Sequence, residues 1–144
     1  MTTVDQLSVL LENQKGALAA VTKILGEAGY NILALSIAEI DNFGVCRLIL
    51  PGSEEAARLL RKKGYTVREN PVLVAEVPDR PNGLSHVLSI VQREDISLDY
   101  LYSFVRCTGK DALLIFAFSD LARAAEALSE EGVRLLSLEQ VLEK

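Results

Sequence analysis

Two short polar stretches, ENQKGAL (Glu12 to Leu18) and VPDRPNGL (Val77 to Leu84), hold most of the residues equipped to bind something. Each follows an apolar run and precedes apolar positions at helical spacing, so each reads as a strand-to-helix turn. The side-chain amide of Asn13 both donates and accepts hydrogen bonds, whereas the Asp79 carboxylate only accepts. The helix that follows offers free backbone N–H groups and a partial positive charge, and Gly16 or Gly83 lets a ligand come close. That equipment suits the holding of a small polar or zwitterionic molecule. A catalytic constellation is missing: the chain has no nucleophile–base pair at a known spacing, no phosphate loop and no metal triad. His86 is the sole histidine and has no cysteine nearby, which does not make a typical transition-metal site. Each residue also has a structural reading. Asn13 and Asp79 suit helix starts and turns, and Gly16 and Gly83 suit backbone geometry; the residues alone leave both readings open.

The elements that position these loops come from a duplication. Shifted by 66, Leu7 meets Leu73, Leu18 meets Leu84, Val21 meets Val87, Leu35 meets Leu101, Leu48 meets Leu114 and Ile49 meets Ile115. From there the offset becomes 68, pairing Leu60 with Leu128 and Gly64 with Gly132, which predicts a two-residue length difference near Pro51–Ser53. A repeat of this length exceeds a usual solenoid unit, so the expectation is two small domains, 1–69 and 70–144, joined by the short link 69–73 and packed together. In the first half, strands are expected at 6–12, 31–40, 45–50 and 65–69. Helices are expected at 16–28, stopped by Gly29, and at 53–63, capped by Ser53 and stopped by Gly64. The second half predicts strands near 72–77, 97–106, 111–117 and 133–136 and helices near 83–93 and 119–131. Ser137 and Gln140 stand at capping-box spacing in the tail.

The order is βαββαβ twice, an α+β, ferredoxin-like fold whose antiparallel sheets carry their helices on one face. Strand 31–40 is apolar at both parities, and its counterpart carries Tyr100, Tyr102 and Phe104 on one face and Leu101 and Val105 on the other. Something besides the helices is therefore expected to cover these sheets: the other half, a second copy of the chain, or both. The small trio Ala34, Ser36, Ala38 matches the large trio Tyr100, Tyr102, Phe104 position for position.

Composition narrows the function classes. Nearly half of the 144 residues are apolar, which predicts a packed core. A formal charge of −5 argues against binding a phosphate backbone, even with aromatics on a central strand. No stretch approaches the roughly 20 apolar residues that span a bilayer, and no signal peptide is evident, so a cytoplasmic protein is expected. Cys46 and Cys107 fit neither a CxxC motif nor a disulfide framework and read as buried free thiols.

Duplicated βαββαβ units opening with L-E-N-x-x-G-x-L resemble the ACT domain, a small regulatory module that binds amino acids. LLENQKGALAAVTKILGEAGYNILAL, in the first half, resembles the start of the serine-sensing ACT domain of D-3-phosphoglycerate dehydrogenase. The whole chain is similar to stand-alone tandem ACT proteins without a catalytic domain. The resemblance implies a non-enzymatic sensor, with no cofactor, in which a small amino-acid effector sits between two ACT units. It also implies a homodimer and makes a metabolic enzyme a candidate partner. By the same resemblance Asn13 holds the effector, Gly16, Ala17 and Leu18 form the helix start beside it, and Asn31 and Ile32 reach in from a neighbouring unit. Leu11 stands where the serine-sensing domain has a histidine, so serine is not carried over as the ligand. In the second half Asp79 stands for Asn13, Asn82 for Gly16 and Ser97 for Asn31, with Gly83, Leu84 and Leu98 beside them. The aspartate can meet an ammonium group but cannot donate to a carboxylate, which makes the first loop the stronger site. An ACT-type dimerisation or docking subunit without effector binding is the alternative.

Overall fold

The computed structural model describes residues 1–12, 14–104 and 111–144. It divides into two compact units, Asp5–Asn70 and Pro71–Lys144, the latter joined by Met1–Val4. In the first unit, β1 (Val4–Glu12), α1 (Ala17–Glu27), β2 (Ala34–Ile40), β3 (Phe43–Ile49) and α2 (Ser53–Lys62) lead into β4 (Thr66–Pro78). The strand order is β2-β3-β1-β4. In the second unit the later part of β4 is followed by α3 (Gly83–Arg93), β5 (Leu98–Ser103), β6 (Asp111–Phe118), α4 (Leu121–Glu130) and α5 (Leu138–Leu142). There β4 pairs antiparallel with β6, and β6 with β5.

Period-two alternation explains β1. Leu7, Val9 and Leu11 turn inward onto Val21 and Leu25 of α1 and onto Ala56, Ala57 and Leu60 of α2. The second unit repeats this layer: Leu73, Ala75 and Val77 meet Val87, Ile90 and Val91 of α3 and Ala124 and Leu128 of α4. Cys46 is fully buried in the first core, and burial pushes its thiol up to about 11. Cys107 lies outside the described residues, as do the expected strand end at 105–106 and Val105.

Helices α1 to α4 share one stop signal. A left-handed residue follows each C-cap: Gly29, Gly64, Asp95 and Gly132. Its N–H donates three residues back, and the next residue donates five back, as in Tyr30 to Leu25 and Val133 to Leu128. This two-bond closure satisfies carbonyls that the helix end leaves free. The tail carries the expected capping box, with Ser137 and Gln140 bonded reciprocally.

Four expectations need correction. The link 69–73 does not separate two strands: the expected strands 65–69 and 72–77 run on as the single 13-residue β4. Residues 133–136 are not a strand; only Leu135 bridges to Ala75, with Leu136 N–H donating to the Val74 carbonyl. Ser53 does not cap α2: Gly52 takes that position at φ 76 with no side-chain bond, and Ser53 is the first helical residue. Finally, the two-residue difference lies elsewhere. Leu7 pairs with Leu48, whereas Leu73 pairs with Phe116; Leu35 pairs with Leu48, whereas Leu101 pairs with Phe116. Leu48 therefore corresponds to Phe116 and not to Leu114, and the offset is already 68 at the third strand. The extra residues fall between β5 and β6, where the first unit has only the two-residue turn Asp41–Asn42. Apolar residues at matching parity made either register look correct, because a slip of two leaves every side chain on its own face.

Candidate functional site

Three segments converge at the end of the first unit's sheet. Register sets Glu12, the last residue of β1, opposite Phe43, the first of β3. The strand order brings β4, starting at Thr66, to the other side of β1. Between them, Gln14 to Ala17 carry the chain into α1. These segments border an open cavity of about 480 Å³. Leu10, Leu11, Ala17, Ala20, Phe43 and Tyr65 supply its apolar lining, and Glu12, Gln14, Lys15 and Thr66 supply polar groups. This volume lies within the range of small-molecule sites. The Gln14 amide donates to the Glu12 carboxylate at 2.8 Å, and Gln14 N–H donates to the Glu12 carbonyl at 2.7 Å.

The α1 start is shaped by Gly16, at φ 85 and ψ 2. A methyl group there would meet nothing within 4 Å, so the glycine is required by conformation and not by space. No described side chain caps α1, and the Ala17 N–H is taken by the Gln14 carbonyl at 3.2 Å.

The second loop follows the same course with different chemistry. Arg80 N–H donates to the Pro78 carbonyl at 2.9 Å, and Gly83 N–H donates to the Arg80 carbonyl at 3.0 Å. Asn82 takes the part of Gly16, at φ 68 and ψ 2, a conformation that asparagine tolerates better than most residues. Gly83 is buried, and a Cβ there would sit 2.1 Å from the Pro78 carbonyl oxygen. Here the glycine is required by space. The matching residue of the first loop is Ala17, which carries the Cβ that Gly83 lacks.

Of the expected site residues, Leu11, Gly16 and Ala17 come together at the first cavity. Leu11 also belongs to the core, at 5% exposure, and Leu18 packs against that core. Asn13 lies outside the described residues. Asn31 is exposed and Ile32 is half-buried; neither lines this cavity. In the second unit Asp79, Asn82 and Leu84 are exposed, Gly83 is buried and Leu98 is half-buried. The backbone of Ser97 is occupied: its N–H donates to the Ser119 hydroxyl at 3.2 Å and its carbonyl accepts from Ser119 N–H at 2.9 Å. Pro51 fills the matching position in the first unit and has no N–H to offer Asn31. Among the described residues no three His, Cys, Asp or Glu side chains group to hold a metal, and no helix is long and apolar enough to cross a membrane.

Sequence reasoning missed the far walls, Phe43, Tyr65 and Thr66. The signal was present in the βαββαβ order itself. A sheet with strands in the order 2-3-1-4 must bring the starts of its third and fourth strands to the end of its first.

Three solved structures are similar along most of the chain. Protein BT0572 from Bacteroides thetaiotaomicron is 31% identical, with 94% of this chain and 92% of that one covered at a TM-score of 0.87. The ligand-free regulatory subunit of aspartate kinase from Thermus thermophilus is 12% identical over 90% and 93%, at a TM-score of 0.65. Its Thermus flavus counterpart is 13% identical over 90% and 93%, at 0.63. At 12–13% identity, the two kinase subunits speak for the fold alone. A comparison with curated proteins finds no match. Residues 1–143 match the ACT domain pair along essentially their full length, and the chain belongs to that family.

Proposed function

We propose that the protein is a cytoplasmic regulatory ACT pair that binds a small amino acid at interfaces between ACT units and passes that state to a metabolic enzyme. The observation that carries this reading is the first-unit cavity, which lies at the strand-to-helix turn in a chain that is an ACT pair from end to end. Glu12 and Lys15 set a carboxylate and an ammonium group at one cavity, complementary to the two charges of a free amino acid. Asn13, followed by a helix start, supplies donors for the ligand carboxylate, and the exposed Asn31 is the residue offered to a neighbouring unit. The effector acts by population shift, favouring the arrangement of units that it bridges. That a regulatory subunit of aspartate kinase shares the fold supports an enzyme of amino-acid metabolism as the partner. The protein itself carries out no turnover in this reading, needs no cofactor and works as a homodimer.

Titration calorimetry against the twenty amino acids tests it. Binding of at least one is expected, and Asn13→Ala or Asn31→Ala weakens that binding tenfold or more with the fold intact by circular dichroism. Absence of heat and of thermal shift with all twenty would defeat the sensor reading. A second reading, a docking subunit without effector, is favoured by Ile37 and Ile40, which stand 49% and 53% exposed on the outermost strand β2. Pull-down from the native host with and without amino acids separates the two: capture indifferent to amino acids supports docking.

A further inference from the structure

We infer that α5 is a strap on the face of the second unit's sheet opposite α3 and α4, locked there by Glu76 and able to open without unfolding the unit. β4 divides its side chains by parity. Ala75 and Val77 join the core with α3 and α4, so Glu76 between them points to the opposite face. That face is poor ground for a lone carboxylate. Register sets Glu76 opposite Leu113, which is 5% exposed, and its own side chain is only 12% exposed. Two cations meet it there. Arg134, whose carbonyl accepts from Glu76 N–H, brings its guanidinium to 3.6 Å, and Lys144 sets its ammonium group on the same carboxylate oxygen.

The duplication ties this cluster to the tail. An offset of 66 aligns Glu76 with Leu10, and an offset of 68 aligns Arg134 with Thr66. At this point of its sheet the first unit therefore carries neither the carboxylate nor the guanidinium, and its last strand runs straight on as β4 with no helix after it. In one unit the inward carboxylate and the following helix occur together; in the other both are missing. The attachment of α5 suits opening as a piece. Leu136, fully buried, ties the chain to the sheet through its N–H to the Val74 carbonyl. Beyond it the backbone closes on itself: Ser137 and Gln140 form the capping box, Val141 N–H donates to the Ser137 carbonyl and Lys144 N–H to the Val141 carbonyl. A helix of five residues does not persist alone in water. Its place depends on anchors, of which the buried Val141 and the Lys144–Glu76 pair are two. Release of the strap gives this face an open state, with Glu76 hydrated and the pairing of β4, β6 and β5 kept.

Hydrogen exchange on the full chain tests this, read at the Gln140 and Val141 amides against those of Val87 and Ile90 in α3. The tail amides are expected to exchange about tenfold or more faster than the α3 amides, through an opening that leaves α3 protected. Glu76→Gln and Lys144→Gln should each speed tail exchange roughly tenfold with α3 unchanged, because each removes a charge-assisted bond. The double variant should be no faster than the singles, since both remove one interaction. Salt at about 1 M should speed the tail of the native chain and not that of the variants. Tail amides that exchange only at the rate of α3 overturn the strap, because α5 then opens only with the whole unit. Native exchange rates in both variants, or effects that add in the double variant, overturn Glu76 as the lock. Lys144 is 30% exposed, so its variant keeps this arm decisive even where Glu76→Gln folds poorly.

Discussion

The turns into α1 and α3 share two backbone bonds and a left-handed residue and differ in what enforces them. In both, a left-handed residue precedes the helix and the same two backbone bonds brace the turn. The first loop puts its glycine at the strained torsion and an alanine at the first helical position. The second puts asparagine at the strained torsion and glycine at the crowded site. The first arrangement places the Ala17 methyl group at the helix start, where Ala17 lines the cavity. The second lets the Pro78 carbonyl settle against the helix start. One fold position thus has two solutions, and the alanine belongs to the loop beside the cavity.

Breaking the crowded site should have the largest effect. Gly83→Ala drives a methyl group into the Pro78 carbonyl and is expected to cost about 3 kcal/mol in urea denaturation. The mirror change Ala17→Gly should cost no more than about 1 kcal/mol. Equal losses at the two positions would mean that the loops are not distinguished in this way. On binding, Asn13→Ala should weaken the amino acid tenfold or more while Asp79→Ala changes it less than twofold; the reverse would make the second loop the sensor. At the strained torsion, Gly16→Ala should cost about 1–2 kcal/mol, while Asn82→Gly changes stability by a few tenths.

The smallest effect lies in the cores. Cys46 corresponds to Leu114, and only the first core can titrate there. The native thiol is raised from 9.0 to about 11, so the folded state binds more protons than the unfolded between those values. Its contribution is present below pH 9 and is lost as pH rises through 11. In a Cys107→Ser background, Cys46 should react with a thiol reagent at pH 8 only after denaturant is added.

The sequence made the units legible because helix stops and strand alternation are local signals. Gly29, Gly64 and Gly132 are such stops, and the inward residues of β1 recur at every second position from Leu7 to Leu11. What it hid was non-local. The junction at Asn70–Pro71 looked like a linker because proline and asparagine are turn residues, yet strand pairing absorbs them into β4. The register of the third strand was ambiguous because Leu114 and Phe116 share a face. At the site, Leu11 and Gly16 were visible as a motif, whereas Phe43 and Thr66 join it only once the sheet order is known.

The four left-handed helix stops also bear on how a duplicated chain avoids mispairing. Each stop closes through bonds that span at most six consecutive residues, so it can form before any strand finds its neighbour. Two homologous halves invite exchange, since β1 and the later part of β4 present similar edges to either set of partners. Helices whose lengths are fixed early hold each strand at a set reach from its own hairpin and shorten the loops that must close. Loosening one stop, for example Gly29→Val, should therefore slow folding and raise the yield of swapped dimers on refolding at high concentration.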